Sequence, residues 1–240
     1  MSSAVLDPMA TRAATSPVLG LAEYGPGLVA DSPLLKPRNQ ALKRLFDFVV
    51  ASVLTISVLP LALVIALAVA LETRGPIFFV HTRLGKNRHP FRLWKFRSMR
   101  PDADQVLARY LAQHPELRRE WHSTRKLKND ARVTRFGRWL RRSSLDELPQ
   151  LWNVLCGTMS LVGPRPIVRE EIVQYGTALE NYGRVLPGLT GLWQVSGRTN
   201  LSYHRRVDLD AEYIREWSFA LDLKILCKTV CAVLRGQGAY

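Results

Sequence analysis

The chain has 240 residues, of which 47% are apolar, and a formal net charge of +14. This size and composition fit one ordinary domain with appendages and exclude a wholly disordered chain. The positive charge lies outside residues 1–35, so the body of the protein is expected to meet an anionic partner: nucleic acid, an anionic membrane surface or a phosphorylated small molecule. The cysteines show no C-x-x-C spacing, which argues against a disulfide framework or a zinc site.

A long apolar segment follows a polar start. Residues 1–35 mix Ala, Ser, Gly and Pro with little periodicity and predict a flexible tail. Phe48 to Leu71 contains no charge and, at about 1.5 Å per residue, is long enough to cross a bilayer. Pro60 can break a helix near its middle, and basic residues flank both ends, so the positive-inside rule favours a hairpin that re-enters one face. A single span with a proline kink is the alternative.

A short β-hairpin is predicted next. Strands at Ile77 to His81 and at Phe91 to Phe96 surround a polar turn. Alternation along the second strand places Lys95 and Arg97 on one face, where they could clamp a phosphate. Solvated charges on a strand face are the alternative explanation.

Most of the remaining chain has helical periodicity. Asp102 to Leu127 predicts an amphipathic helix interrupted near Pro115, and Tyr203 to Trp217 predicts another helix. Phe219 to Leu234 predicts an apolar helix that either lies along the membrane surface or completes the core.

The expected fold is therefore α+β and mostly helical. It is a monotopic membrane protein with a proline-broken re-entrant helix, a small β-hairpin and interfacial amphipathic helices. The expected domains are the flexible tail at 1–35, the membrane helix with its basic flanks at 36–74 and a cytosolic catalytic domain at 75–240.

Adjacent carboxylates mark the centre of the chain, where Asp146 and Glu147 follow Arg141 and precede Arg165. Such a pair repels itself and an anionic substrate, so a site built from it needs cations, which the arginines and a divalent metal could supply. Arg165 lies in a Gly-Pro-Arg-Pro turn that would present its guanidinium with little freedom. The alternative is structural: Ser144 and Glu147 have the S-x-x-E spacing of a helix capping box.

Two weaker patterns lie further along the chain. Pro187 to Arg198 carries three glycines and ends in a cation that could contact phosphate, but its spacing is not that of a Walker A loop. Asp208 and Asp210 have the D-x-D spacing that many nucleotide-sugar glycosyltransferases use to bind metal. A solvated helix face explains the same pair.

Together these residues resemble the catalytic region of bacterial monotopic phosphoglycosyl transferases. The similarity covers nearly everything from Lys43 to Leu234. Its motifs, in chain order, are Lys43-Arg-Leu-Phe-Asp, the apolar segment with Pro60, Gly75-Pro76, Lys95-Phe-Arg-Ser-Met, Asp146-Glu-Leu-Pro-Gln-Leu-Trp-Asn-Val, Met159-Ser-Leu-Val-Gly-Pro-Arg-Pro166, Pro187-Gly-Leu-Thr-Gly and Trp217-Ser.

The resemblance implies a site, a reaction and a location. Asp146 matches the nucleophile that forms an aspartyl-phosphosugar intermediate, and Glu147 matches its partner. Both could hold Mg²⁺, while Arg141 and Arg165 match phosphate-contacting arginines. The implied reaction moves sugar-1-phosphate from a UDP-sugar to undecaprenyl phosphate and releases UMP, as the first membrane step of exopolysaccharide assembly. The enzyme would lie in the bacterial inner membrane with its site facing the cytoplasm; a homo-oligomer is an open option, and no nucleic acid partner is expected.

Two other functions compete with this one. The first is a non-covalent glycosyltransferase that uses Asp208 and Asp210 and releases UDP instead of UMP. The second is a basic, membrane-anchored binding module without enzyme activity. The central carboxylates argue against the second, because acids in a basic patch weaken the binding of polyanions.

Overall fold

A computed structural model describes residues 31–124, 127, 129–197 and 201–234. The described chain is mostly helical, with two small two-stranded sheets. This confirms the predicted α+β class with one long apolar helix near the N-terminus.

The long apolar helix, α1, runs from Pro37 to Glu72. Pro37 occupies its first turn, where a missing N–H costs nothing. The helix continues through Pro60, so the proline does not divide it into two helices as the sequence suggested. The lost hydrogen bond is a local defect, and the flanking turns of a long apolar helix can maintain the helix around it.

One face of α1 packs on the rest of the protein at both sides of Pro60. Asp47 and Ala51 are buried before the proline, and Ile65 and Val69 are buried after it. These spacings keep all four side chains on one helical face. The other faces expose a large apolar surface that includes Phe48, Val53, Ile56, Leu63, Leu67 and Leu71. Within the described residues, α1 is the one helix long and apolar enough to cross a membrane.

The predicted hairpin is present. Strand β1 (Phe78–Leu84) pairs antiparallel with β2 (Pro90–Phe96). Phe79 lies opposite Lys95, and Arg83 lies opposite Phe91. Successive side chains of a strand point to opposite faces, so Arg83 and its neighbour Thr82 lie on opposite faces of the hairpin. Each shares its face with its cross-strand partner.

Helices connect the hairpin to the centre of the chain. The predicted interruption near Pro115 separates two of them, which confirms that prediction. The four helices are α2 (Ala103–Gln113), α3 (Leu117–Thr124), α4 (Arg135–Ser143) and α5 (Gln150–Leu155). A 3-10 turn at Leu145–Glu147 joins α4 to α5.

The second sheet is parallel and very short. It joins β3 (Ser160–Val162) to β4 (Gly188–Thr190). A Cβ atom at Gly188 would lie 2.1 Å from the Gly163 nitrogen, so this close approach of two backbones requires glycine. Two short helices, α6 (Ile172–Tyr175) and α7 (Ala178–Gly183), lie between these strands in the chain, and α8 (Leu192–Val195) follows β4.

Two helices end the described chain, α9 (Tyr203–Glu216) and α10 (Phe219–Leu234), close to their predicted bounds. One face of α10 completes the core, because Ile225 and Asp222 are buried. The Asp222 carboxylate accepts a hydrogen bond from Lys43 Nζ at 2.6 Å, which ties the start of α1 to α10.

The core begins inside the stretch predicted as tail. Pro33–Leu35 forms a 3-10 turn, and Leu34 is buried in the main hydrophobic cluster. The Ser32 hydroxyl donates a hydrogen bond to the Ile214 carbonyl on α9. Residues 1–30 lie outside the described part of the chain.

Candidate active site

The tight turn between α4 and α5 carries the two adjacent carboxylates. Ser144 follows the last residue of helix α4 with a left-handed backbone, φ 58°, and the 3-10 turn comes next. Leu145 and Leu148 pack on the hydrophobic cluster that holds Ile65 and Val69 of α1. The turn is therefore fixed directly against the second half of the membrane helix.

The capping-box explanation of this stretch is wrong. The Ser144 side chain makes no capping hydrogen bond, and its backbone closes α4 instead of opening a new helix. The Glu147 side chain reaches Lys95 rather than the Ser144 backbone. The carboxylates consequently have no helix-capping role that would account for their presence.

Asp146 is a buried carboxyl group, 8% exposed. Burial raises its pKa to about 6; neighbouring Glu147 raises it further, while Lys95 and Arg141 oppose the shift. Among the described residues, no side chain of another residue donates a hydrogen bond to this carboxylate. When deprotonated, Asp146 is therefore a desolvated carboxylate that accepts no hydrogen bond from another described side chain, which suits a nucleophile.

Glu147 of the 3-10 turn and Lys95 of β2 form an ion pair. Both side chains are partly exposed, at 34% and 29%. The pair holds one cation beside Asp146 and leaves it accessible to a ligand.

Arg141 lies on the last turn of α4, close to the same carboxylates. Its Nε donates a hydrogen bond to Ser98 Oγ at 2.8 Å. Gly137 allows helix α4 to approach Ser98 closely, because a Cβ atom at this position would lie 2.0 Å from the Ser98 carbonyl oxygen. Burial lowers the pKa of Arg141, and Asp146 is the largest influence that raises it. Its neighbour Arg142 is exposed.

Lys95 and Arg97 have different partners, although they are two residues apart. Nη2 of Arg97 donates to the Thr73 carbonyl at 2.6 Å and contacts Thr73 Oγ1 at 2.7 Å. Thr73 is the residue that ends α1. The hairpin thus brings Lys95 to the carboxylates and Arg97 to the end of the membrane helix, instead of joining them in one clamp.

Arg165 lies in a second cationic group that sequence analysis did not find. It forms an ion pair with Glu171 at 3.5 Å, and Arg83 forms one with the same carboxylate at 3.7 Å. The guanidinium groups of Arg165 and Arg206 lie 6.0 and 5.0 Å from the centre of the Trp193 ring. These residues come from distant parts of the chain with no shared spacing, so only the fold reveals them.

The alternative metal pair is not assembled. Asp210 is fully buried and accepts hydrogen bonds from the Tyr175 hydroxyl at 2.9 Å and the Arg165 backbone at 3.4 Å. Burial raises its pKa to about 7. Asp208 is partly exposed and lies two positions earlier on α9, on a different face. In the ranges that the structure covers, no cluster of three His, Cys, Asp or Glu side chains could hold a metal ion. Arg198, predicted to contact phosphate, lies outside the described residues.

These features define a membrane-associated protein with a desolvated carboxylate and two cations in one site, an arrangement suited to phosphoryl chemistry. The chain belongs to the bacterial sugar transferase family, whose model matches residues 38–236. The predicted family is thereby confirmed, the chain is an enzyme of the phosphoglycosyl transferase class, and a binding module without activity is excluded.

Curated relatives agree with this membership. The chain is 44% identical over 231 residues to the exopolysaccharide production protein ExoY of Rhizobium meliloti, which covers 96% of this chain and 99% of that protein. It is 45% identical over 207 residues to the undecaprenyl-phosphate galactose phosphotransferase of Salmonella typhimurium. This alignment covers 86% of this chain and 43% of that protein. It is 41% identical over 219 residues to the UDP-glucose:undecaprenyl-phosphate glucose-1-phosphate transferase of Escherichia coli. This alignment covers 88% of this chain and 44% of that protein. The chain thus spans nearly all of ExoY and less than half of the two named transferases.

Proposed function

We propose that the enzyme transfers sugar-1-phosphate from a UDP-sugar to undecaprenyl phosphate and releases UMP, as the first membrane step of exopolysaccharide assembly. The observation that carries the proposal is the Asp146 carboxylate, buried beside Lys95 and Arg141 in a turn that packs on α1. The names of the Salmonella typhimurium and Escherichia coli relatives contain the lipid carrier, and the name of the Rhizobium meliloti relative contains the product.

The reaction has two steps. An oxygen of Asp146 attacks the phosphorus that carries the sugar, the bond from that phosphorus to the UMP oxygen breaks, and UMP leaves with the bonding electrons. A phosphate oxygen of the lipid then attacks the same phosphorus, and the acyl phosphate bond breaks to restore Asp146. One site can serve a soluble and a lipid substrate in turn because the enzyme stores the sugar phosphate between them.

The surrounding side chains position phosphate and offset its charge. Lys95 and Arg141 lie where they oppose the negative charge at Asp146, so they would attract the substrate phosphates. Glu147 keeps Lys95 in place through their ion pair. Positioning and charge neutralisation carry most of a phosphoryl transfer, and these groups contribute to both.

Mg²⁺ fits the donor set. Asp146 and Glu147 offer hard carboxylate oxygens, and Mg²⁺ is commonly held by one or two carboxylates together with substrate phosphates. When bound, the ion would neutralise phosphate charge in this site.

The released nucleotide tests the proposed reaction. With a UDP-sugar and undecaprenyl phosphate, the enzyme should release UMP and form a lipid-linked sugar diphosphate. UDP-glucose and UDP-galactose are the first donors to try, since the relatives' names carry these sugars. Chromatography of the soluble products distinguishes UMP from UDP. UDP as the product, with a lipid that gains one sugar and no phosphate, would contradict the proposal and support a non-covalent transferase.

A re-entrant arrangement of α1 is part of this proposal, with the active site on the cytoplasmic face of the inner membrane. The same basic domain contacts α1 before Pro60 through Ala51 and after it through Ile65 and Val69. A helix that crossed the bilayer along its normal would draw that charged domain into the hydrocarbon, which is costly. A kink at Pro60 that leaves α1 continuous would let the exposed apolar faces enter one leaflet while both ends stay at the interface.

Labelling of single cysteines should establish this topology. In a chain whose Cys156, Cys227 and Cys231 are changed to serine, a cysteine at Arg38 or at Arg88 should react with an impermeant reagent only from the cytosol. Pro60→Ala should move a measurable share of molecules to a spanning form, because the helix regains its hydrogen bond. Leu59→Ala is the matched control and should leave the labelling unchanged. Reaction at Arg38 from outside in the unaltered helix would establish a span and contradict the hairpin.

A further inference from the structure

Three guanidinium groups lie together near the active site, and each comes from a different element. Arg83 belongs to β1, Arg165 to the turn after β3, and Arg206 to α9. Mutual repulsion acts within the group, because Arg165 is among the charges that lower the pKa of both Arg83 and Arg206, after burial. Holding like charges together costs free energy, and packing alone does not account for that cost. The cluster therefore points to a functional role.

The described residues place little negative charge around Arg83 and Arg165. Glu171 forms the ion pairs with Arg83 and Arg165, at 3.7 and 3.5 Å, which are longer than hydrogen bonds. Its carboxylate is already held by the Val168 backbone N–H at 2.9 Å. Asp210, a second carboxyl near Arg165, has a pKa raised to about 7 by burial, so it is only partly charged at neutral pH. Arg83 and Arg165 share the single Glu171 carboxylate, so among the described residues this pair keeps an excess of positive charge.

Two buried donors at this place have no hydrogen-bond partner among the described residues. They are Nε of Arg83 and the indole Nε1 of Trp193. Buried donors are normally satisfied, so each unpaired one needs an explanation. A phosphate group would provide several strong acceptor oxygens for them at once.

The group adjoins the active site and can be reached from solvent. Arg83 lies on the same face of the hairpin as Lys95, because its cross-strand partner Phe91 is four residues from Lys95 on β2. The Arg165 side chain is 33% exposed, so a ligand has access. A second substrate phosphate, next to the phosphorus that Asp146 attacks, would lie on the side of the active site where Arg83 and Arg165 are found.

We propose that Arg83, Arg165 and Arg206 form one binding site for a substrate phosphate that is not itself attacked, with Trp193 as an additional donor. The inference rests on the proposed function for the identity of the substrates. Two sources fit the chemistry: the phosphate of the leaving UMP, and the phosphate of the lipid acceptor, which enters after UMP has gone.

Equilibrium binding of UMP tests the nucleotide source without any turnover. Arg83→Gln should weaken UMP binding to the purified full-length enzyme about tenfold or more, the loss expected for one charge-assisted hydrogen bond. Arg206→Gln should act in the same direction. Arg92→Gln is the matched control, because Arg92 is exposed and lies opposite Thr82 on the other face of the same hairpin. It should bind UMP as the unaltered enzyme does.

The lipid source is tested in the second step alone. Enzyme charged with sugar phosphate and freed of UMP is mixed with increasing undecaprenyl phosphate, and the transfer rate is measured. A shift of half-saturation by about tenfold in Arg83→Gln and Arg206→Gln assigns the site to the lipid, a shift in UMP binding alone assigns it to the nucleotide, and shifts in both assign it to each in turn.

Unchanged UMP binding together with unchanged lipid dependence in both variants would overturn the proposal. If Arg83→Gln lowers the thermal midpoint, Arg83→Lys replaces it, since lysine keeps the charge and removes the Nε donor. Failure of the proposed function looks different: the unaltered enzyme would then form no covalent sugar phosphate, whereas its UMP binding and the response to Arg83→Gln could still be measured.

Discussion

Asp146→Asn is expected to lower sugar phosphate transfer by roughly 10⁴-fold or more, the scale seen when a catalytic nucleophile is removed. An amide is a poor nucleophile and cannot form the acyl phosphate. UMP release from a UDP-sugar without lipid should vanish as well. Steady-state transfer with a radiolabelled sugar measures the loss. Glu147→Gln should also slow turnover severely, yet slow labelling of Asp146 should persist, because Glu147 supports the site without forming the bond.

The stability of the Asp146→Asn variant provides the control. In the unaltered enzyme, folding raises the pKa of the Asp146 carboxyl from 3.8 to about 6, so folding disfavours its charged form. This cost is absent below the unfolded pKa and fully present above about pH 6. The variant should therefore be as stable as the unaltered enzyme at pH 7.5, or more stable by on the order of 1 to 3 kcal/mol, and the difference should shrink towards pH 4. Near-normal transfer by this variant would overturn the mechanism.

Arg141→Lys is expected to lower transfer by roughly 10- to 100-fold, the loss of about one to two charge-assisted hydrogen bonds. The change keeps the positive charge and removes the planar fork that can bind phosphate while Nε is held by Ser98. Thermal unfolding should show a small change only, since a cation still faces Asp146. Initial rates over a range of UDP-sugar concentrations measure the effect.

Arg142→Lys is the matched control, adjacent in sequence and exposed at the end of the same helix. Its rate should stay within about twofold of the unaltered enzyme, because surface charges of this kind contribute little. Equal rates for the two lysine variants and the unaltered enzyme would show that Arg141 only solvates the surface. Equal losses in both would point to helix α4 rather than to a phosphate contact.

The sequence predicted the elements whose signal is local. The hairpin follows from alternation around a polar turn, and the apolar length of α1 follows from the uncharged run that begins at Phe48. Asp146 and Glu147 stood out because adjacent carboxylates among arginines are costly without a function. Each of these signals lies within a short stretch of chain, where spacing decides the structure.

The sequence could not predict contacts between distant elements. Alternation placed Lys95 and Arg97 on one face, but the end of α1 at Thr73 takes the Arg97 side chain, and only tertiary packing brings the two together. The association of Arg83 with Arg165 and Glu171 likewise depends on how β1 meets the turn after β3. Ser144 and Glu147 had the spacing of a capping box, yet α4 ends with a left-handed residue there.

The mass of the intact enzyme after incubation with a UDP-sugar, without lipid acceptor, tests the covalent mechanism most directly. We expect an added sugar phosphate on up to one site per chain, located at Asp146 by peptide mapping after acid quenching, and removed when undecaprenyl phosphate is added. A full rate of lipid product with no adduct under these conditions, or an adduct on another residue that transfers at the same rate, would contradict it.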